Sequence, residues 1–324
     1  MIVPMLDERI RGHQAWTRDS LAPRDWIVEI PSECLREIRA ALVEVRGNRL
    51  PIFLLRPDDF QLEACRALMH GVRRQLDEGV MFAVLDRLPL EEMTHDEATQ
   101  VYWLLASLVA RPVAQKFDGT MFYEVSDTGA QLKPGSGIRP TVTNVELTFH
   151  NDNSYNETQP HYVALLCFSK SLEGGRSRVI SMYTVHNVLL EQHRDVLPRL
   201  YRPFWFDRHA EHEPDDVKVF AAPVFEYDGR LRTRLAHREV YAGYELRGER
   251  LDDEGTRALT AVQTVFDTPL LRVELDFEPG QIQFVNNRAT GHARTEFLDG
   301  PEPHQKRRLL RMWLRDSGKR SYRG

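Results

Sequence analysis

The stretch Val145-Glu-Leu-Thr-Phe-His-Asn-Asp152 alternates apolar and polar side chains, which is typical of a β-strand. Successive strand residues point to opposite faces, so one face is apolar and the other polar. The first comprises Val145, Leu147 and Phe149, and the second Glu146, Thr148, His150 and Asp152. Such a strand is usually half exposed to solvent, but in a barrel or jelly roll its polar face can line a cavity. In that case His150 and Asp152 point to one place, as two ligands of one metal ion must.

The regions around this stretch predict the fold class. Strand-like runs separated by glycine, proline and aspartate span 141–149, 162–168, 178–182, 224–227, 271–277 and 282–286, with helical inserts at 185–194 and 254–266. Residues 33–45, 60–76 and 94–108 have apolar residues at helical spacing, and Thr94 with Glu97 predicts a capping box. We therefore predict one α+β domain over residues 1–324. Its mainly helical portion (1–120) packs on a double-stranded β-helix, or jelly-roll, core (121–316).

The composition argues against several classes of protein. The 324 residues are 42% hydrophobic and 28% charged, an ordinary globular balance. The net charge of −5 predicts no general basic surface, so we expect no nucleic-acid partner. We also expect no membrane span and, from residues 1–14, no secretory signal. The sparse cysteines, Cys34, Cys65 and Cys167, contain no CxxC pair and fit a reducing compartment, so we expect a cytoplasmic protein.

A metal site with two histidines and one carboxylate needs a third ligand, for which His292 is the best candidate. It comes shortly after Phe277-Glu-Pro-Gly-Gln-Ile-Gln-Phe-Val-Asn286, in which Pro279-Gly280 predicts a turn before a strand. The 142 positions from His150 to His292 leave room for several strands to return beside the first. Taken alone, however, a His-x-Asp pair is a common coincidence. A single histidine also often forms ordinary hydrogen bonds in a core or loop.

Two arginines near the C-terminus predict a buried anion. In the strand-like segment 306–315, one face carries Leu310, Met312 and Leu314, and the other Arg307, Leu309, Arg311 and Trp313. Arginines on an inward face are costly to bury without a partner, and a dicarboxylate would supply one because guanidinium binds carboxylate in bidentate geometry. The alternative is a surface strand with solvated arginines. Arg308 would replace Arg307 if a one-residue bulge changed the register.

Together these stretches resemble the TauD/TfdA family of Fe(II)- and 2-oxoglutarate-dependent dioxygenases, which includes clavaminate synthase-like and gamma-butyrobetaine hydroxylase-like proteins. The resemblance covers about residues 123–315. It rests on segments 143–152, 173–177, 279–288, 291–295 and 307–314, which occur in family order. It implies that His150, Asp152 and His292 bind the iron. It also implies that Arg307 binds the distal carboxylate of 2-oxoglutarate, that Ser177 stands where the family often has a threonine contacting 2-oxoglutarate, and that Arg311 reaches co-substrate or substrate.

The resemblance also implies a reaction. The enzyme would consume O₂ and 2-oxoglutarate, release succinate and CO₂, and hydroxylate, desaturate or cyclise at an unactivated C–H bond. Because Asp152 is present, halogenation is not expected. The expected substrate is a small polar metabolite, such as an amino acid or a carrier-tethered aminoacyl group. The oligomeric state is left open, with a homo-oligomer among the options.

Other polar residues have weaker assignments. Candidates for contacting substrate or bracing the site are Asn144, Glu146, Arg234 and Arg288. His209 and His212 resemble a metal pair, but nearby acidic residues favour a solvated loop. Residues 135–137 predict a loop near the mouth of the site, and residues 319–323 predict a solvated basic tail.

Two alternative functions stay open. One is a zinc-dependent hydrolase with the same three ligands, and the other is a catalytically silent binding protein on the same scaffold. The arginine pair argues against the first, and the intact ligand set argues against the second.

Overall fold

Strands from both ends of the chain join in one main β-sheet. The computed structural model describes residues 4–47, 49–130, 140–209, 211–213 and 215–324. The strands are β1 (Ile27–Glu29), β2 (Phe82–Asp86), β3 (Arg111–Val113), β4 (Tyr123–Val125), β5 (Leu147–His150), β6 (Tyr162–Ser169), β7 (Glu173–Gly174), β8 (Ser177–Ser181), β9 (Phe204–Asp207), β10 (Val219–Ala222), β11 (Phe225–Tyr227), β12 (Leu231–Thr233), β13 (Arg272–Leu275), β14 (Ile282–Asn286), β15 (Thr290–Arg294), β16 (Phe297–Leu298) and β17 (Arg308–Arg315).

The helices lie in the N-terminal third and in two later inserts. They are α1 (Ser32–Gly47), α2 (Glu63–Asp77), α3 (His95–Val109), α4 (Met182–Gln192), α5 (Leu197–Leu200), α6 (His237–Arg247) and α7 (Asp253–Phe266). The predicted helices correspond to α1, α2, α3, α4 and α7. Thr94 and Glu97 form the predicted capping box at the start of α3, with backbone-to-side-chain bonds of 2.8 and 3.3 Å. Helix α6 was not predicted from the sequence.

The main sheet has the strand order β1-β2-β14-β6-β17-β3, with β4 also paired to β17. A second sheet has the order β13-β8-β15-β5. Strands β1, β2 and β3 come from the portion that the sequence predicted as mainly helical, so that prediction was incomplete. β2 is a short apolar run buried on both faces, and periodicity does not distinguish such a run from helix. The predicted strand over 141–149 was too long, because residues 140–142 form a 3-10 turn and β5 begins at Leu147.

Two layers of the core lie on the two sides of the main sheet. One cluster joins helices α1, α2 and α3 to the sheet and includes Leu310, Met312 and Leu314 of β17. A second cluster joins the two sheets and includes Leu309 and Trp313. The two faces of β17 therefore divide as predicted, with its aliphatic face against the helices and its other face toward the second sheet.

The start of β17 contains the irregularity that the sequence analysis considered. Relative to β6, the register of β17 shifts between Arg308 and Leu309. Arg307 is nevertheless the buried residue, at 4% exposed, whereas Arg308 lies at the surface beside Glu124, 3.2 Å away. The bulge thus does not exchange the two arginines.

The basic C-terminal tail is packed and not simply solvated. The Tyr322 side chain is buried, and its ring stacks on Trp313 with centroids 6.4 Å apart. Its hydroxyl donates to Asn153 Oδ1 at 2.9 Å. The expectation for the tail was therefore wrong at Tyr322, where an aromatic ring fills the core beside β17.

Three further expectations concern the cysteines, membrane spans and one loop. Cys34, Cys65 and Cys167 are buried free thiols. Within the part of the chain that the structure describes, no helix has both the length and the apolar content to cross a bilayer. The predicted loop at residues 135–137 lies outside the described residues.

Burial of His186 on α4 makes the stability of the fold dependent on pH. The imidazole Nε2 is hydrogen-bonded to the Tyr201 hydroxyl at 2.8 Å, and burial lowers the pKa of His186 to about 4. In the unfolded chain the pKa of histidine is about 6.5. Below about pH 6.5 the unfolded state therefore binds a proton that the folded state does not. The contribution to stability is complete above that pH and is lost as the pH falls toward 4.

We predict that His186→Phe reduces the acid sensitivity of the protein. Phenylalanine keeps ring contacts with Tyr201 and Phe225 but does not titrate. Between about pH 7 and pH 4.5, the free energy of unfolding should fall by about 2–3 kcal/mol less in H186F than in the wild type. Urea denaturation at the two pH values measures this difference, with exposed His304→Phe as control. Equal losses in H186F and the wild type would contradict the prediction.

Candidate metal centre

Two histidines and one aspartate converge beside the second sheet. Nε2 of His150 lies 3.5 Å from Oδ1 of Asp152, and Nε2 of His292 lies 3.9 Å from the same oxygen. Within the described ranges, no other group of three or more histidine, cysteine, aspartate or glutamate side chains has ligand atoms near enough to share a metal ion. The ligand atoms of His150, Asp152 and His292 all lie within 4.8 Å of one another. Two imidazoles and one carboxylate are the donor set of facial non-haem iron sites.

The second sheet sets the two histidines opposite each other. β5 and β15 are antiparallel, and His150 is paired directly with His292. Their ring centroids are 4.3 Å apart. Directly paired residues of neighbouring antiparallel strands have side chains within contact distance. The pairing therefore brings together two residues that are distant in sequence.

Asp152 reaches this point from a turn and not from the strand that the sequence predicted. β5 ends at His150, and Asp152 lies in the turn that follows. The Asn287 side chain accepts from the Asp152 N–H at 2.7 Å and donates to the Asp152 carbonyl at 2.9 Å. Asn287 is fully buried in the connection between β14 and β15. The segment that leads into the strand of His292 therefore also fixes Asp152.

The two oxygens of the Asp152 carboxylate have different partners. Oδ2 accepts a hydrogen bond from Trp313 Nε1 at 2.7 Å. Oδ1, which faces both histidines, accepts from Arg311 at 3.0 Å. With Oδ2 held by the indole, Oδ1 is the oxygen directed to a shared metal ion.

The electrostatics of the group favour its metal-binding protonation state. Burial opposes ionisation of Asp152, but Arg311 and the two histidines outweigh it and hold the pKa of the carboxyl well below its usual range. Burial lowers the pKa of His292 to about 3, so its imidazole is neutral at neutral pH. His150 Nδ1 lies 2.9 Å from the Thr148 carbonyl, which can only accept, so Nδ1 donates and Nε2 is left free for a metal. Deprotonated ligands are what metal binding requires.

A cavity of about 270 Å³ opens onto this group. Its lining includes His150, Asp152 and Arg311, and also His209 and Glu239. Glu146, one of the predicted substrate residues, lies in its wall as well, but it is paired with Arg178 at 2.8 Å. The volume suits a small metabolite, since it is at the low end of the range for small-molecule sites.

A second cationic region lies at the start of β17. Arg307 and Arg294 are each 4% exposed, and both guanidinium groups lie over the Phe297 ring, 5.5 and 4.7 Å from its centroid. Nη1 of Arg307 has no hydrogen-bond partner, nor have Nε and Nη1 of Arg294. Burial, reinforced by the charge of Arg294, lowers the pKa of Arg307 to about 9. Ser177 is the cross-strand partner of Arg294 and donates to Gln283 Oε1 at 2.8 Å.

Three of the residues predicted to contact substrate lie away from the cavity beside the three ligand candidates. Arg234 donates to the carbonyls of Ser154 and Asn156, and it lines a separate cavity together with Arg288. Asn144 is exposed, and its carbonyl accepts from the Phe297 N–H. Arg234 thereby braces the turn after Asp152, and its role as a substrate residue stays a prediction.

Sequence reasoning missed several residues of the site. Arg294 could have been found, because it lies two positions after His292 and therefore on the same face of a strand. The sequence analysis placed Trp313 on the correct face of β17 but did not predict its hydrogen bond to Asp152. His209 was assigned to a solvated loop, whereas it is 10% exposed and pairs with Glu239 across 30 residues. Nothing local in the sequence signals that pair.

Comparison with known proteins identifies the class to which this fold and site belong. Residues 48–313 match the model of the family described as Taurine catabolism dioxygenase TauD, TfdA family. This match covers most of the chain, which therefore belongs to the TauD/TfdA family. Enzymes of this family are Fe(II)- and 2-oxoglutarate-dependent dioxygenases, and so is this protein.

The individual relatives share less than 30% of their residues with this chain. The chain is 26% identical to FR-33289 synthase of Streptomyces rubellomurinus (strain ATCC 31215) over 318 residues, which cover 97% of this chain and 92% of that protein. It is 28% identical to L-asparagine oxygenase of Streptomyces coelicolor (strain ATCC BAA-471 / A3(2) / M145) over 183 residues, 53% of this chain and 49% of that protein. A solved asparagine oxygenase with Fe(II), 3-hydroxyasparagine and succinate has a TM-score of 0.65 at 23% identity, covering 89% of this chain and 93% of that one. The solved structure supports the shared fold.

We predict that Trp313→Phe weakens metal binding. The change removes the indole N–H that holds Oδ2 of Asp152 but keeps an aromatic ring in the core. The dissociation constant for Fe(II), measured anaerobically by chelator competition, should rise about 10-fold or more, as is usual when a residue that orients a metal ligand is lost. The visible spectrum of the Co(II)-loaded protein should also change, because the carboxylate is no longer held to one binding mode.

Trp103→Phe is the matched control for this experiment. Trp103 is equally buried, but its Nε1 donates to the Leu55 carbonyl at 3.0 Å and not to Asp152. W103F should therefore lose thermal stability without a change in metal affinity. Wild-type affinity and spectrum in W313F, or equal losses of affinity in both variants, would contradict a role for Trp313 at the metal centre.

Proposed function

We propose that His150, Asp152 and His292 bind the iron of an oxygenase that hydroxylates a C–H bond of a small amino-acid-like substrate. The observation that carries this proposal is the convergence of their three ligand atoms next to a cavity, in the protonation states that a metal requires. When bound, the iron would activate O₂, which supplies the oxidising power, and 2-oxoglutarate would be oxidised to succinate and CO₂ together with the substrate. The residues of the chain bind these groups, orient them and limit access of water.

The distal carboxylate of 2-oxoglutarate would bind at Arg307. A buried guanidinium with an unpartnered N–H is unfavourable, and a carboxylate would supply both its counter-charge and its missing acceptor. Arg294, with two unpartnered nitrogens beside the same Phe297 ring, would add a second cation. The Ser177 hydroxyl would donate to the carboxylate only by giving up its bond to Gln283 Oε1. A hydrolase has no need of such a dicarboxylate site, which disfavours that alternative.

Arg311 would bind the acid group of the substrate. Two of its nitrogens are bonded, Nε to Gln115 at 2.8 Å and Nη1 to Asp152 at 3.0 Å, while its buried Nη2 has no partner. The side chain is in the wall of the cavity, next to the ligand candidates. A substrate carboxylate at Nη2 would lie near the iron, which positions the adjoining carbon atoms for reaction.

The names of related proteins support an amino-acid-like substrate. One solved structure contains 3-hydroxyasparagine, and the solved oxygenase OrfP, with a TM-score of 0.67 at 12% identity, contains (3S)-hydroxy-L-Arg. The role proposed for Arg311 favours a free acid over a carrier-tethered aminoacyl group, because a tethered group has no free carboxylate for the guanidinium. Desaturation or cyclisation would use the same binding residues.

We also infer that the two sheets form the double-stranded β-helix of a single domain. Residues of β8 and β13 share a core cluster with β6, β14 and β17, so the sheets face each other. β2 is hydrogen-bonded between β1 and β14, which ties the N-terminal portion into the same sheet. This supports one domain over residues 1–324 and disfavours a separable helical unit.

We predict that anaerobic Fe(II) and 2-oxoglutarate together produce a weak visible charge-transfer band, and that O₂ then yields succinate. Arg307→Gln should raise the 2-oxoglutarate concentration for half-maximal band formation about 30-fold or more, because it removes one partner of a buried ion pair. Arg308→Gln should change it less than about 3-fold, since Arg308 pairs with Glu124 at the surface. Titration of the band measures both values.

Two outcomes would count against the proposal. Well-folded wild-type protein that forms no band and releases no succinate would refute the iron and 2-oxoglutarate sites together. A larger effect of R308Q than of R307Q would refute only the assignment of the arginine. Thermal denaturation of both variants separates a loss of binding from a loss of folding.

A further inference from the structure

His209 and Glu239 form a largely buried hydrogen-bonded pair in the wall of the cavity beside the ligand candidates. His209 follows β9, and Glu239 lies in the first turn of α6. His209 Nε2 is 2.8 Å from Glu239 Oε1, and their side chains are 10% and 13% exposed. Both residues line the same cavity as His150, Asp152 and Arg311. A substrate in the cavity could therefore contact this pair.

The pair is held firmly in this position. His209 has a φ of 52°, a backbone conformation that is uncommon for residues other than glycine. Its N–H donates to Asp207 Oδ1 at 2.9 Å, and its ring meets the Tyr155 ring edge-on at 4.9 Å. Glu239 stands at the N-terminus of a helix of 11 residues, where a negative charge is favourable. Burial opposes ionisation of Glu239, but its bond to His209 outweighs burial and lowers the pKa of the carboxyl.

The other charges along the cavity leave Glu239 without a lysine or arginine partner among the described residues. Glu146 is paired with Arg178, and Asp152 would be used by the metal. Among the described residues, the one side chain that forms an ion pair with Glu239 within 4.0 Å is His209. Arg238 lines the cavity too, but no ion pair joins it to Glu239 within 4.0 Å among the described residues. A buried carboxylate of this kind is suited to a cationic or N–H-donating ligand.

We propose that Glu239, positioned by His209, binds a basic group of the substrate, so that the substrate is a small molecule with both an acidic and a basic group. This rests on the proposed function and extends it, since Arg311 binds the acid group in the same cavity. An α-amino, side-chain amino or guanidino group has the required chemistry. His209 fixes the orientation of the carboxylate and is a positioning residue.

The test uses a library of matched pairs of small acids. Each amino acid or other amine-bearing acid is paired with the analogue in which the basic group is replaced by hydroxyl or hydrogen. Full-length protein loaded with Fe(II) and 2-oxoglutarate is titrated with each compound. Two signals are recorded: the shift of the anaerobic charge-transfer band and the rate of succinate release after addition of O₂.

For the wild type, we expect at least one amine-bearing acid to produce both signals, with its analogue at least 10-fold weaker. Glu239→Gln should abolish most of that preference by raising the KM for the amine more than it lowers kcat. His209→Gln, which keeps an N–H donor near the position of Nε2, should retain more of the preference than His209→Ala. Glu245→Gln, on the exposed part of the same helix, is the matched control and should behave as the wild type.

Three results would overturn the inference. One is an E239Q variant with wild-type preference for the amine. Another is a set of active compounds that all lack a basic group, and the third is a library in which no amine is active. In each case the band formed by Fe(II) and 2-oxoglutarate before any library compound is added reports on the proposed function separately. Loss of that starting band would refute the oxygenase site itself.

Discussion

The two-sided hydrogen bonding of the Asp152 carboxylate is the interaction on which the site depends. One oxygen is held by Trp313 and the other lies between Arg311 and the two histidines. Because Trp313 and Arg311 are on the same face of one strand, β17 sets the orientation of the Asp152 carboxylate and the position of a cation beside it. The aliphatic residues on the opposite face anchor that strand to the helical layer. Packing of the N-terminal helices therefore bears on the geometry of the metal centre.

The same strand also explains why the cationic groups are divided between two places. Arg311 lies within β17 and faces the cavity, whereas Arg307 precedes the strand, beyond a register shift. Each retains at least one buried nitrogen without a partner. Two separated cationic sites suit a reaction with two acidic ligands, in which co-substrate and substrate must bind together without exchanging places. Glu239 adds a site of opposite charge at a third place.

Sequence patterns predicted which residues converge at the candidate metal centre better than the way in which they are brought together. His150, Asp152, His292 and the inward face of β17 follow from alternation and from the ordered motifs of the family. Asp152 nevertheless arrives from a turn held by Asn287, because β5 ends at His150, two residues earlier than the alternation suggests. The pairing of His209 with Glu239 was not predictable, since it depends on packing of α6 against β9 and no local pattern encodes it. Buried strand β2 was missed for the related reason that a short apolar run has no diagnostic period.

A crystal structure of the full chain grown anaerobically with Mn(II) and 2-oxoglutarate would test the metal centre most directly. The anomalous signal should lie about 2 Å from Nε2 of His150, Oδ1 of Asp152 and Nε2 of His292, with Oδ2 still bonded to Trp313. A metal peak at another position, or a metal ion bound without Asp152, would contradict the arrangement described for these three residues.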